Sequence, residues 1–232
     1  MAGDCDLAPV RTANLVVLAA PVLANISMLP QLEGLVGRDA LVTDVGSTKR
    51  RMVTAAELRS FSFIGGHPMA GAARGGAANA RPDLFDGHTW LLTPGAAHRV
   101  DLLAGLETFV SGLGAVPHIM TPELHDRFVG VVSHLPQFSA SALMHVVGKL
   151  AGDAGLELAA AGLRDSTRLA GSPAGIWRDV ARSNDDVLRS ALDELIRTLT
   201  DLRDSLPEAE AVDAVFTSAR RWRDALERTG KN

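Results

Sequence analysis

Hydrophobic and polar positions change their period about halfway along the chain. Residues 14–20 (NLVVLAA) and 40–45 (ALVTDV) are continuous β-prone runs, the pattern of strands buried on both faces. Between them PVLANISMLPQLEGLV predicts a helix that Pro21 opens and Pro30 breaks or restarts. Thr48 to Leu58 predicts a second helix, FSFI (61–64) a third strand and HTWLLT (88–93) a fourth. A helix near 99–111 and a strand from residue 115 (AVPHIM) follow, so the first half is predicted to be an α/β sheet. At TPELHD the strands stop: Thr121 is the expected N-cap and Pro122 the first helical residue. Ser172 before Pro173 and Asn184 before Asp185 mark further helix starts. Leucines 188, 192, 195, 199, 202 and 206 alternate spacings of four and three, a heptad seam that packs along another helix of this chain or of a partner. The predicted organisation is an α/β domain over residues 1–120 and an all-helical domain over 121–232.

Composition narrows the function classes. The 232 residues are 47% apolar and 22% charged with net charge −4, enough for a sizeable core. No basic block and no tyrosine accompany the three tryptophans, which argues against a nucleic-acid partner. The single cysteine, Cys5, forms no internal disulfide, and we read it as incidental in a reducing compartment. Asp4, Asp6 and Pro21 argue against reading 15–24 as a secretion signal, and the run is about half the ~20 residues a bilayer requires. A cytoplasmic protein without membrane contact is expected.

Two segments carry candidate chemistry. TDVGSTK (43–49) lies where a parallel strand gives way to a helix, the edge at which α/β sheets bind ligands. Read alone it is equally a plain Asp/Ser helix cap. In the next unit, GGHPMAG delivers His67 to the same edge in what reads as a loop, so Ser47 and His67 are expected to face one crevice. A serine hydroxyl beside an imidazole can orient it as a general base. Gly65, Gly66 and Gly71 read as room for a substrate against the ring. In the helical half, Pro136 is expected to kink or interrupt the helix beginning at 122, freeing carbonyls near His134. His145 has no carboxylate at ligand spacing, so no metal is expected. Asp165 and Arg168 are spaced as an i, i+3 pair, either a solvated ion pair or an Arg fork for a substrate carboxylate.

LVVLAAP, TDVGSTK, FIGGHPMAG, LFDGHTWLLTP, HDRFVGVVSHLPQ and RDSTRLAGSPAGIWRD follow one another in this order. Together they resemble the prephenate/arogenate dehydrogenases of tyrosine biosynthesis, over residues 14 to about 206. The resemblance implies a partial Rossmann-like, doubly wound sheet followed by a helical dimerisation domain. It implies an oxidoreductase using NAD or NADP on prephenate or arogenate, in which His67 accepts the proton of the ring hydroxyl as hydride leaves the same carbon. Ser47 would then orient hydroxyl and base, His134 would contact substrate, and Arg168 would bind a substrate carboxylate. Asp165 and Trp177 would shape the gate, and Gly66 would lie against substrate. Ala20, Pro21, Asp44, Val45 and Gly46 would line the cofactor, and the leucine seam would serve a homodimer.

The chain departs from the family pattern at its start. It holds no G-x-G-x-x-G turn and opens at what corresponds to the fourth strand, about two β/α units in. LVVLAA is therefore expected at an open sheet edge, and dinucleotide affinity is expected to be weak. A truncated, catalytically impaired fragment that retains the substrate pocket and dimer helices is the alternative reading. A related hydroxyacid-type dehydrogenase would lack the SHLP and STR motifs, and a purely helical interaction module would leave the GGHPMAG loop without purpose.

Overall fold

In a computed structural model, residues 7–71 and 79–229 are described. Cys5, Asp4 and Asp6 lie outside them. Five strands form one sheet in the order β1 (Leu15–Leu18), β2 (Leu41–Asp44), β3 (Ser62–Pro68), β4 (Thr89–Pro94), β5 (Val116–Ile119). β1, β2 and β3 run parallel, β4 is antiparallel to β3, and β5 is parallel to β4. The antiparallel β3–β4 pair was not anticipated from the sequence, which was read as an α/β sheet without a direction for these two strands. Among the described residues β1 pairs only with β2, and its Val17 is 43% exposed.

Helices cover both faces because successive residues of a strand point opposite ways. Val42 packs with Leu29, Leu32, Met52 and Ala56 of α1 (Val22–Leu32) and α2 (Arg50–Glu57). Its neighbour Leu41 packs on the other face with Leu103, Leu106 and Val110 of α3 (Val100–Gly112). Pro21 caps α1 as expected, but Pro30 does not break it; the proline sits in the last turn and the helix ends at Leu32.

Thr121 caps α4 (Pro122–Val129), its hydroxyl accepting from Leu124 N. Pro122, His125, Asp126 and Val129 form the buried face of this helix. Residues Gly130–His134 then form a π turn, in which Leu135 N–H reaches Gly130 O, and α5 (Leu135–Leu156) continues with Pro136 in its first turn. The expected interruption near Pro136 is thus one widened turn, a feature that recurs at functional sites. α6 (Ala161–Ser166), a 3₁₀ turn (Arg168–Gly171) and α7 (Ala174–Ser183) follow.

The chain divides by contact into two compact units, one ending at Leu188 and one beginning at Arg189. α8 spans Asp185–Asp204 and α9 spans Ala209–Thr229. Leu206 therefore falls beyond α8, and the leucine seam is helical only as far as Leu202. Ile196, Leu199, Phe216 and Trp222 leave exposed apolar surface on these helices.

Gly65 and Gly66 lie within β3 and are needed for its packing. A Cβ at Gly66 would meet the backbone oxygen of Asp44 at 2.5 Å and Trp90 Nε1 at 3.0 Å, and one at Gly65 would collide with Thr93. The two glycines therefore make room for the sheet's neighbours, not for a substrate as the sequence suggested; a Cβ at Gly71 would meet nothing within 4 Å among the described residues. Gly66→Ala is expected to lose about 1–3 kcal/mol of stability in urea unfolding. An unchanged midpoint would show that the strand can shift freely.

Candidate functional site

The first anchor is a buried charge at the end of β2. Asp44 is fully buried, its Oδ2 bonded to Lys49 Nζ and Gly46 N and its Oδ1 to Gly66 N at 3.1 Å. Lys49 is equally buried; desolvation pushes its pKa down and Asp44 opposes the shift. Asp44, expected against a cofactor, is thus committed to holding β2, β3 and the entry to α2 together. Gly46 is committed too, since a Cβ there would lie 2.7 Å from Val22 Cγ2. Ala20 and Val45 are half-buried and Pro21 is exposed, at the carboxyl ends of parallel strands β1 and β2.

The second anchor is Asp126, also fully buried. Its Oδ1 accepts from Lys49 N at 2.7 Å and from His125 Nδ1 at 2.8 Å. Its Oδ2 accepts from Arg50 N at 3.0 Å and Arg50 Nε at 3.3 Å. The first amides of a helix have no partner in the helix itself, and here a carboxylate from α4 supplies one. Burial would raise the Asp126 pKa, but the bonds from His125, Arg50 and Lys49 outweigh it and hold the group below its ordinary value. Asn184, between α7 and α8, donates to Asp126 O at 2.9 Å, reaches His134 Nδ1 at 3.5 Å and accepts from Arg50 Nη2 at 2.8 Å.

From this base His125 Nε2 reaches His67 Nδ1 at 2.9 Å. His67 lies in β3, paired with Leu91 of β4, and not in a loop; it is half-buried while His125 is fully buried. Burial pushes the His67 pKa well down, with His125, Lys49 and His134 adding to the shift. Burial also lowers His125, against the pull of Asp126, and takes His134 down to about 4. All three rings are neutral at pH 7.

Ser47 is half-buried, and no hydrogen bond joins it to His67 among the described residues. Its neighbours are drawn inward instead, Thr48 Oγ1 to Ser183 Oγ at 2.8 Å and Lys49 N to Asp126. The partner that orients the His67 ring is His125, which the sequence reading passed over. A signal for it existed: His125 and Asp126 share the inward positions of α4 with Pro122 and Val129, and a charge on such a face needs a reason.

His134 also meets the edge of Trp177, their ring centroids 6.1 Å apart, and Trp177 meets Phe138 at 6.1 Å. Trp177, Phe138, Gln137, Ser172 and Arg178 line a cavity of about 370 Å³. Gln137 Nε2 donates to Leu169 O at 2.8 Å and its Oε1 accepts from Ser172 Oγ at 3.2 Å, which fixes the 3₁₀ turn carrying Arg168. Arg168 and Asp165 are both exposed and are not joined by an ion pair or a hydrogen bond among the described residues. Their helical spacing is lost because α6 ends at Ser166 and Thr167 has φ −109°. Arg178, at the cavity wall, is a cation the sequence reading did not select. Among the described residues no cluster suited to a metal ion occurs, and no helix is long and apolar enough to cross a membrane.

The three neutral imidazoles give stability a pH dependence of definite sign. Unfolded histidine binds a proton near pH 6.5, whereas the folded rings resist it, so acid favours the unfolded chain. Stability is full above about pH 6.5 and is lost as pH falls, with His134 alone contributing on the order of 3 kcal/mol by about pH 4. Urea unfolding across this range is expected to show the decline; a flat profile would contradict the buried, neutral assignment.

Comparison with known proteins agrees with this architecture. Residues 2–119 match the family model "Prephenate dehydrogenase, nucleotide-binding domain", and residues 121–217 match "Prephenate dehydrogenase, dimerization domain". A prephenate dehydrogenase of Bacillus subtilis is 34% identical over 231 residues, 96% of this chain and 62% of the relative. One from Lactococcus lactis is 31% identical over 94% of this chain and 62% of the relative. The chain therefore spans about three fifths of the length of these curated relatives. The crystal structure of Aquifex aeolicus prephenate dehydrogenase with hydroxyphenyl propionate and NAD⁺ superposes with a TM-score of 0.82. Its identity is 29%, over 91% of this chain and 76% of that one. Synechocystis arogenate dehydrogenase superposes at 0.83 with 29% identity, over 95% and 82%. With both halves matched in order and the fold shared, this chain belongs to the prephenate dehydrogenase family.

Proposed function

We propose that the site serves the NAD(P)⁺-dependent oxidative decarboxylation of prephenate or arogenate, with His67 as general base. The observation that carries this reading is the His67 ring itself. It is neutral, held by one nitrogen, and its Nε2 has no partner among the described residues. A base of this kind can take the proton of a ring hydroxyl. As the hydroxyl oxygen closes to a carbonyl, the same carbon gives up its hydrogen as hydride to the acceptor; the carbon–carboxylate bond breaks with its electron pair entering the ring, CO₂ leaves, and the proton returns to that oxygen as the ring becomes a phenol.

The small residues Ala20 and Val45, with Pro21, form a ledge at the carboxyl ends of β1 and β2, where α/β sheets bind ligands. That ledge fits one wall of a dinucleotide, which would supply the hydride acceptor when bound. Ser47, half-buried and without a side-chain hydrogen bond among the described residues, can meet the substrate hydroxyl. Trp177 and Phe138 suit the flat faces of a cyclohexadiene ring, and Arg168 offers an exposed guanidinium, without an ion pair among the described residues, to a carboxylate. His134, with its edge against Trp177, would shape the same wall, and Asp165 the rim.

The partner we propose is a second copy of the chain, in the cytoplasm. Leu124, Phe128, Val132, Leu143, Val146 and Leu150 are each at least one third exposed on one helical run, α4 to α5, and exposed apolar side chains of this kind suit a protein–protein contact.

His67→Asn is expected to lower kcat with prephenate and NAD⁺ by about 10² to 10⁴ with little change in KM; near-normal kcat would remove His67 from the chemistry. Calorimetric titration with hydroxyphenyl propionate tests the anion site separately. Arg168→Gln is expected to weaken binding at least about tenfold, the cost of a charged hydrogen bond. Unchanged affinity in Arg168→Gln with a loss in Arg178→Gln would move the anchor to the cavity wall.

A further inference from the structure

We infer that His67, His125 and Asp126 form a one-directional hydrogen-bond relay that fixes the His67 tautomer, with His125 and Asp126 as positioning residues for the base. The inference rests on His67 being that base, and the direction of the relay follows from its inner end. An ionised Asp126 offers only acceptors, and Lys49 N, Arg50 N and Arg50 Nε already point at it. His125 Nδ1, 2.8 Å from Oδ1, must therefore carry the proton that fills this contact.

A neutral imidazole has one N–H, so a proton on His125 Nδ1 leaves Nε2 as an acceptor. His67 Nδ1, 2.9 Å away, must then donate, and the lone pair of His67 is confined to Nε2. That is the nitrogen with no partner among the described residues. The opposite tautomer would set two lone pairs against each other at 2.9 Å. When Nε2 takes a proton the ring becomes cationic, and its Nδ1–H still donates toward a dyad that ends in a carboxylate. The relay therefore both presents the base and eases its charging, roles that need no contact between His125 or Asp126 and the substrate. Lys49 and His134 are the other titratable groups that act on the His67 ring, and both oppose its protonation.

The direct measurement is ¹⁵N NMR of the full chain with ring-labelled histidine, which reports which nitrogen of His67 bears hydrogen. The wild type is expected to show Nδ1–H and a bare Nε2. His125→Gln, whose amide oxygen can still accept from His67 Nδ1, is expected to keep that tautomer. His125→Leu cannot accept, and is expected to release the ring to a mixture containing Nε2–H and to lower kcat by roughly 10² or more at unchanged KM. Nε2–H in the wild type, or an unaltered tautomer in His125→Leu, would overturn the relay. The wild-type spectrum alone decides if His125→Leu fails to fold. A correct tautomer combined with full turnover in His67→Asn would remove the proposed base while leaving the relay standing.

Discussion

The Asp126 carboxylate is buried and charged, and much of the site follows from what that charge requires. A carboxylate out of water is stable only when its lone pairs are filled by donors. Here they come from three directions: two amides that open α2, the Arg50 side chain, and His125 of its own helix. One group thereby ties α4 to α2 and sets the angle at which His125 reaches β3. Moving it would disturb the entry to α2, the Arg50 contacts to Asn184 and Asp186, and the His67 ring together.

A second buried charge works alongside. Asp44 joins the end of β2 to Lys49 and to the backbone of Gly46 and Gly66, so the strand that carries His67 is fixed from below as the ring is fixed from the side. Consecutive backbone positions, Lys49 and Arg50, meet Asp126, while the Lys49 side chain meets Asp44. The segment 44–50 is thus held by carboxylates at both ends. This is why its small and polar residues serve as structure first, and why so few of them remain free to meet a ligand. In the helical segment the π turn buries His134, and Gln137 holds the turn that bears Arg168, so the cavity beside Trp177 is framed by hydrogen bonds as well as by rings.

Much of this was legible in the sequence because periodicity and caps are local. The five strands, the Thr121–Pro122 helix start and the disturbance before Pro136 all sit where the pattern places them, and six ordered motifs carried the family. The antiparallel β4 was not legible, since a strand's direction depends on its neighbours and not on its own residues. Ser47 was paired with His67 because both stand at strand ends; the structure turns the ring toward His125, a contact between residues 58 positions apart. Gly65 and Gly66 read as space for a ligand, yet the space is filled by Thr93 and Asp44 from neighbouring strands whose registry the sequence does not state, and by Lys49 at the entry to α2. Asp165 and Arg168 were matched by helical spacing that the chain abandons at Thr167.

The central claim is that one carboxylate supports both the packing and the proposed base. Asp126→Asn tests it, because an amide keeps the shape while losing the charge and part of the acceptor capacity. Unfolding free energy and the rate of hydride transfer from prephenate, measured on the same preparation, are expected to fall together, stability by about 1–3 kcal/mol and turnover by about tenfold or more. A variant that loses stability but keeps full turnover, or one that loses neither, would contradict the account.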